Sequence, residues 1–336
     1  MSVRVSVLGA GSWGTALAIL MASKYADVIL WEFRPDVAGE LAETRENKLM
    51  LPDVFIPEKI RIISDFEEAV VHRDVLVLAV PSHIMREVSL RLNQADFGEA
   101  ILVSVAKGIE NQTLMRMSEV IHDAIPELPD SRLAVLSGPS HAEEVSREIP
   151  TAVVAASKLI KTAQDVQRIF MTPNFRVYAS ADLIGVELGG SLKNIVAIGA
   201  GISDGVGYGD NTKAALMTRG LVEITRLGAA MGADPMTFAG LSGMGDLIVT
   251  CMSRYSRNRH LGEEIGKGKT LQEALNEMVM VAEGVRTTKS AYDLAKKYRV
   301  ELPITEQVHK VLFEDKSPKA AVSELMGRGA KIEKWG

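Results

Sequence analysis

The stretch VRVSVLGAGSWGTALAILMA, Val3 to Ala22, decides how the first half of the chain is built. Val3, Val5, Val7 and Leu8 make a short β-branched run that reads as a buried strand, while Ala16, Leu17, Leu20 and Met21 recur at helical spacing. Between them Gly9, Gly11 and Gly14 give G-x-G-x-x-G. In that pattern the first glycine permits a tight turn, the second lets backbone approach a pyrophosphate, and the third lets helix pack on strand. The helix that follows points free N–H groups and the positive end of its dipole at the anion. A tight turn alone can produce the same letters. Here the pattern follows a strand, opens a helix and is succeeded by a second apolar strand, Val28 to Trp31, with Glu32 and Arg34 at its end, so it is read as a dinucleotide site.

Outward from that stretch the alternation continues. Strand-like runs at Val75–Val80, Ile101–Val105 and Leu133–Leu136 are separated by helical ones, and Thr151–Ala156 and Phe175–Ala179 bracket the helical KTAQDVQRIFMT. Such alternation predicts a parallel, doubly wound sheet of the α/β class. After Asp182 the strand signals stop, and the periodicity becomes helical, with starts at Asp234-Pro235 and Ser317-Pro318. The expected organisation is a dinucleotide-binding domain over residues 1–182 and an all-helical substrate domain over 183–336, with substrate in the cleft where they pack.

Composition excludes several classes. A chain of 336 residues can bury two cores, and 47% hydrophobic with 24% charged residues is ordinary for a soluble globular protein. Net charge of -5 gives no broad positive field, so no nucleic-acid partner is expected. The lone cysteine, Cys251, sits in the apolar run DLIVTCM and reads as a buried free thiol; a reducing compartment fits. No basic, then apolar, leader precedes the first strand, and no segment reaches about 18 uninterrupted apolar residues, so a cytoplasmic protein that is not integral to a membrane is expected. None of the six histidines forms H-x-H or H-E-x-x-H, which disfavours a metal.

Candidate chemistry follows the strand ends, where parallel sheets collect ligands. Pro81 to His83 read as a wall beside the nicotinamide or as a proline-initiated turn, the turn being favoured for His83. Lys107, between Ala106 and Gly108, is either an accessible ammonium for the site or a solvated surface lysine. Ser140 and Glu143 form S-x-x-E after Gly138-Pro139, the pattern of a capping box. Lys193 carries more information: between Leu183 and Ser203 the only charges are Glu187 and Lys193, and Gly189, Gly190, Ala197 and Gly201 give Lys193 a face of small residues. Desolvation there would lower its pKa and suit it to acid–base work; a lysine that snorkels to solvent is the alternative. Asp246, after GLSGMG, reads as a helix N-cap or as an inward carboxylate that orients Lys193. In SRYSRNRHLG, Ser253, Arg254, Ser256, Arg257, Asn258, Arg259 and His260 concentrate donors suited to a phosphate; a solvated basic helix end is the alternative for some of the arginines, and a nucleic-acid stripe lacks aromatics beyond Tyr255.

Taken in order, GAGSWGTA, SVAKGIE, LSGPS, LKN, GMGDLIVTC and SRNRHLG closely resemble the bacterial NAD(P)-dependent glycerol-3-phosphate dehydrogenases, nearly end to end. The resemblance implies a Rossmann-type N-terminal sheet followed by a helical C-terminal domain. It also implies reversible reduction of dihydroxyacetone phosphate to sn-glycerol 3-phosphate with NAD(H) or NADP(H), for glycerophospholipid synthesis, by a cytoplasmic homodimer. Beyond the three glycines, it assigns Ser12, Trp13, Lys107, Ala142, Arg257, Val281 and Glu283 to the cofactor. Lys107, Gly138, Ser140, Lys193, Asn194, Asp246, Ser256, Arg257 and Asn258 fall to the substrate, with Lys193 as general acid/base and Lys107 and Asp246 beside it. The family often has a basic residue two places after the tryptophan of the second strand. This chain has Phe33 there and Arg34 one place later, so the 2′-position of the cofactor is read by Phe33, Arg34 and Glu32 in a manner that leaves NADH and NADPH both open. A dehydrogenase for another small 2-hydroxy acid or polyol, and a cofactor-sensing regulator without turnover, are the rival readings. The phosphate-suited arginine cluster speaks against the first, and the two lysines against the second.

Overall fold

The computed structural model describes residues 3–278, 282–330 and 332–333. Its strands are β1 (Arg4–Leu8), β2 (Asp27–Trp31), β3 (Glu46–Asn47), β4 (Leu51–Phe55), β5 (Ile60–Ile63), β6 (Val75–Leu78), β7 (Ile101–Ser104), β8 (Leu133–Ser137), β9 (Thr151–Ala156) and β10 (Phe175–Ser180). Two compact units divide the chain: Met1–Ala106 with Met117–Leu183, and Lys107–Arg116 with Ile184–Gly336. A single cut after residue 182 therefore misses one excursion, because the ten residues from Lys107 to Arg116 pack with the helical unit.

In the first unit eight strands form one sheet in the order β10-β9-β8-β7-β6-β1-β2-β5. The strands of its centre are apolar on both faces, as a parallel sheet covered by helices requires: Val5, Val7, Leu8 and all of Val75–Leu78 are fully buried. β1 pairs in parallel with β2 on one side (Val5 with Val28) and with β6 on the other (Val5 with Val75). The direction of winding thus reverses at β1, which is where open α/β sheets leave a crevice for a ligand. The helix Ser12–Lys24 is buried almost all round, so its apolar residues form no single stripe.

The expectation of a wholly parallel sheet holds except at one pair, for β9 runs antiparallel to β8. The link between them contains one turn of helix, Ala142–Val145, where a full crossover helix would return the chain in parallel. β9 and β10 are joined by the helix Ile160–Phe170 and are parallel again. The sequence reading also passed over β5 and the β3–β4 hairpin. Their segment holds Pro52 and Pro57, which weaken a strand signal that is short to begin with.

The second unit is helical, with Leu183–Val206, Asp210–Ala230, Arg257–Gly266, Glu283–Tyr298, Pro303–Phe313 and Pro318–Met326 as its main rods. Asp234 caps Pro235–Ala239 and Ser317 caps Pro318–Met326, as their Asp-Pro and Ser-Pro pairs predict. Glu223 accepts from the backbone N–H groups of Ile304 (2.6 Å) and Thr305 (3.1 Å) at the head of Pro303–Phe313; burial nonetheless pushes its carboxyl up to about 7. Leu183–Val206 is long and apolar enough to cross a membrane by length and composition, but 89% of its apolar window is buried inside the protein, which makes it the core helix. It approaches Arg257–Gly266 backbone to backbone. A methyl on Gly201 would lie 1.9 Å from the Arg259 carbonyl, and one on Gly262 2.0 Å from that of Ile198. Small residues read as room around Lys193 therefore serve in part to dock this neighbouring helix.

Candidate active site

The second unit brings Lys107, Lys193 and Asp246 together. Asp246 opens the helix Asp246–Met252 directly after a π-helical turn, Leu241–Gly245. That turn lies hard against the Lys193 helix, since a methyl on Gly189 would stand 2.5 Å from the Ser242 carbonyl. Gly189 is one turn before Lys193, so the close approach it permits sets the carboxylate beside the lysine. Asp246 is the first residue of its helix, Gly245 is the N-cap, and the carboxylate caps nothing. Of the two readings of Asp246, the inward carboxylate is what the structure contains: Oδ1 lies 2.7 Å from Lys193 Nζ and Oδ2 2.7 Å from Lys107 Nζ.

Burial grades along this triad. Side-chain exposure is 2% for Asp246, 6% for Lys193 and 21% for Lys107, so only Lys107 reaches appreciably toward solvent. Burial pushes the Lys193 ammonium down to about 8; Asp246 opposes that fall and the Lys107 charge adds to it. Thr250, one turn after Asp246, donates to the Asp246 carbonyl at 2.6 Å and receives a hydrogen bond from Lys193 Nζ. Sequence reading did not single it out, although its i+4 spacing from Asp246 was a usable signal. Cys251 is buried and free, and burial pushes its thiol up to about 12, so it is no nucleophile.

The other second-unit residues lie on the neighbouring helices. Asn258 Oδ1 accepts from Gly284 N at 2.9 Å, and a methyl on Gly284 would stand 2.7 Å from that oxygen and 2.9 Å from the Asn194 backbone carbonyl, so the Asn194 backbone and the Asn258 side chain meet at Gly284. Ser256 is buried as the N-cap of Arg257–Gly266, with Oγ accepting from Arg259 N. Arg257 is exposed at the head of the same helix. Arg259 is drawn off to Asp204 at 2.6 Å, which makes it structural. Val281 lies outside the described residues.

The first unit holds the remaining residues. Gly9 has φ +116, and Gly14 lies so close to it that a methyl there would stand 1.9 Å from the Gly9 carbonyl. Gly11 differs: its φ of -68 suits any residue, and a methyl on it would meet nothing within 4 Å. Protein sterics therefore explain Gly9 and Gly14 but not Gly11, whose bare face borders open space at a helix N-terminus. That is the fit a pyrophosphate needs. The Ala10 carbonyl within the loop accepts from Asn47 Nδ2 at 2.7 Å, a brace from the β3–β4 hairpin that the sequence did not disclose. Ala142 packs with Ala16, Leu51 and Val54, and Trp13 lies against this cluster. Gly138 and Ser140 follow β8. The capping box expected at Ser140 does not form: its hydroxyl turns back to the Gly138 carbonyl at 3.0 Å, and His141 is the N-cap of Ala142–Val145. After β2, Phe33 is exposed, and buried Glu32 accepts from Arg34 N at 3.2 Å and Arg34 Nε at 3.4 Å.

Comparison with known proteins now bears on these two sets of residues. Models of the NAD-dependent glycerol-3-phosphate dehydrogenase N-terminus and C-terminus match residues 4–163 and 182–323. The chain belongs to that family. The dehydrogenase is thus an NAD(P)-dependent oxidoreductase. It is 54% identical over 331 residues to glycerol-3-phosphate dehydrogenase [NAD(P)+] 1 of Salinibacter ruber, covering 98% of this chain and 97% of the relative. A relative of the same activity name from Pelotomaculum thermopropionicum is 56% identical over 333 residues, covering 99% and 95%. The crystal structure of glycerol-3-phosphate dehydrogenase from Coxiella burnetii matches with a TM-score of 0.93 at 38% identity, over 97% of this dehydrogenase and 99% of that chain.

Proposed function

We propose that the chain catalyses reversible, NAD(P)H-dependent reduction of dihydroxyacetone phosphate to sn-glycerol 3-phosphate, with Lys193 as general acid in that direction and general base in the reverse. The observation that carries this reading is the carboxylate of Asp246 shared at 2.7 Å between a buried and a half-open lysine. When bound, the nicotinamide supplies or accepts the hydride. Lys193, its pKa near neutrality, gives its proton to the ketone oxygen as negative charge develops there, and Asp246 and Thr250 hold the ammonium in place for the transfer. Lys107 adds positive potential at the same oxygen. Arg257 offers its guanidinium to the phosphate, with Asn258, whose Oδ1 is committed to Gly284, presenting its amide donors. Fixing the phosphate aims the carbonyl.

In this reading residues 1–182 hold the dinucleotide through Gly9, Gly11, Ser12, Trp13, Gly14, Phe33, Arg34 and Ala142, and residues 183–336 bind and turn over substrate together with Lys107. Gly138 and Ser140 contribute to the substrate from the first set, and Val281 and Glu283 to the cofactor from the second. The resemblance of the whole chain to the bacterial enzymes supports a cytoplasmic homodimer that feeds glycerophospholipid synthesis. The test is oxidation of NADH and of NADPH with dihydroxyacetone phosphate beside unphosphorylated dihydroxyacetone. Strong preference for the phosphorylated ketone is expected; equal use of the two would overturn the substrate assignment.

A further inference from the structure

Lys107 belongs to a ten-residue excursion, Lys107–Arg116, that packs with the helical unit. The excursion closes on itself: Ile109 and Arg116 form an antiparallel bridge, Glu110 N donates to the Met115 carbonyl at 2.9 Å, and Leu114 N to that of Glu110 at 2.9 Å. Its two ends are fastened to one helix, the one that carries Lys193. Ser191 Oγ reaches the Gly108 carbonyl at 3.3 Å and that of Glu187 at 2.8 Å, and the Arg116 guanidinium pairs with the Glu187 carboxylate where both side chains are under a tenth exposed. Glu187 and Ser191 are one turn apart, and Lys193 is two residues further on.

We propose that the Arg116–Glu187 ion pair is a positioning device, which clamps the 107–116 segment to the Lys193 helix and so holds Lys107 against Asp246. The inference rests on the reading of Lys193 as the acid/base. Stability alone gives little reason for such a pair, because apolar side chains of similar volume in its place are often neutral or stabilising. What an ion pair adds is register. Ile109 anchors the segment in the core, but apolar contact is non-directional, and the bonds from Ser191 to the Gly108 carbonyl and from Ser290 to the Ile109 carbonyl are both long at 3.3 Å. The charged fork at Arg116 fixes where the segment's far end sits, and through the closed bridge where Lys107 starts.

The consequence is electrostatic. Lys193 is faced by Asp246 and Thr250 from one helix, by Cys251 from the same helix, and by Lys107 from the excursion. Lys107 disfavours the charged form of Lys193, so a Lys107 that wanders from Asp246 lets the pKa of Lys193 rise. An effect confined to packing would leave that titration where it was.

The experiment is the double variant Arg116→Met/Glu187→Met, which removes both charges and leaves neither buried alone. Tm, NADH binding by fluorescence, KM and the pH dependence of kcat are measured. Tm and NADH binding should stay near wild type, while kcat falls roughly tenfold or more, the scale expected of an ångström-level misplacement, and the pH midpoint of kcat moves up. Lys107→Met should move the midpoint the same way, and Arg116→Lys, which keeps the pair, should hold it near the wild-type value. Wild-type kcat and midpoint in the double variant would overturn the clamp. Should the double variant not fold, Arg116→Gln/Glu187→Leu, which also removes both charges, takes its place; an upward midpoint at unchanged Tm supports the proposal and an unmoved one overturns it. Undiminished kcat in Lys193→Met would sink the acid/base reading itself, whereas an inactive Lys193→Met beside a wild-type-like double variant sinks the clamp alone.

Discussion

Each of the two units carries a candidate site of its own, and the two are made of different materials. In the helical unit it is built from charge taken out of water: a carboxylate 2% exposed serves two ammonium groups, and the whole is held by a threonine and a π-helical turn. In the sheet unit it is built from backbone and empty space, with three glycines, the bare face of Gly11 and one brace from Asn47. Charges in a buried cluster depend on one another, so removing one disturbs proton affinity and chemistry. A backbone cradle is sterically exact and electrically mild, so altering it changes affinity and leaves chemistry alone.

The largest effect expected from this contrast is Lys193→Met, with kcat down roughly a hundredfold or more and cofactor binding little changed. In the wild type, ketone reduction needs the ammonium and should fall as pH rises through about 8, whereas oxidation of glycerol 3-phosphate needs the free amine and should rise over the same range. Reduction and oxidation profiles that move in the same sense would take Lys193 out of the proton transfer. Next in size is Arg257→Ala, which should raise KM for the phosphorylated ketone tenfold to a hundredfold, because charged hydrogen bonds to phosphate are worth about 1.5–3 kcal/mol. An equal loss with unphosphorylated dihydroxyacetone would remove Arg257 from the phosphate.

On the other side, Gly11→Ala places a methyl where no protein atom lies within 4 Å. Tm should hold, while the Kd for NADH rises about tenfold, a loss of about 1.4 kcal/mol. Gly14→Ala is its counterpart: a methyl 1.9 Å from the Gly9 carbonyl forces the backbone apart and should cost about 1–3 kcal/mol of stability. If Gly11→Ala lowered Tm and spared cofactor binding, the open face would not be where the pyrophosphate sits.

Why the two parts differ in legibility follows from the same materials. A steric rule on backbone leaves its trace in consecutive letters, and G-x-G-x-x-G between strand and helix was readable. Lys193 was readable because a single cation in a long apolar helix is conspicuous. Asp246 was weighed as its partner, but that Lys107 shares the same carboxylate was not readable from the residues, since Lys107 and Asp246 are 139 residues apart and their meeting depends on how the Lys107–Arg116 excursion folds. Asp246 stood open between cap and carboxylate because the π-helical turn before it shifts which residue begins the helix. Asn47 was hidden for a plainer reason: its hairpin is short and proline-bearing, and its amide serves a carbonyl 37 residues away. The S-x-x-E at Ser140 misled, because four residues of helix gave the box too little to cap and the serine found the Gly138 carbonyl nearer.

The smallest effect concerns the cofactor's 2′-position, where the sheet unit does use charge, but at its surface. Glu32 is buried at 9% side-chain exposure and Arg34 is 47% exposed, and one carboxylate oxygen of Glu32 already accepts from the Arg34 backbone and guanidinium. The arginine is thereby held over the end of β2, with its remaining donors available to a 2′-phosphate, while Glu32 keeps an oxygen for a free 2′-hydroxyl. Both NADH and NADPH should therefore be used. Arg34→Ala removes the phosphate's partner and releases Glu32, whose charge then repels a phosphate and still accepts from a hydroxyl. The site is half open to solvent, so the loss for NADPH should be about 1 kcal/mol, roughly fivefold in kcat/KM, with NADH nearly untouched. The measurement is kcat/KM for each cofactor at fixed ionic strength in wild type and variant. A parallel fall for both would mean that Arg34 serves the loop or stacks on the adenine, and that the 2′-position is read elsewhere.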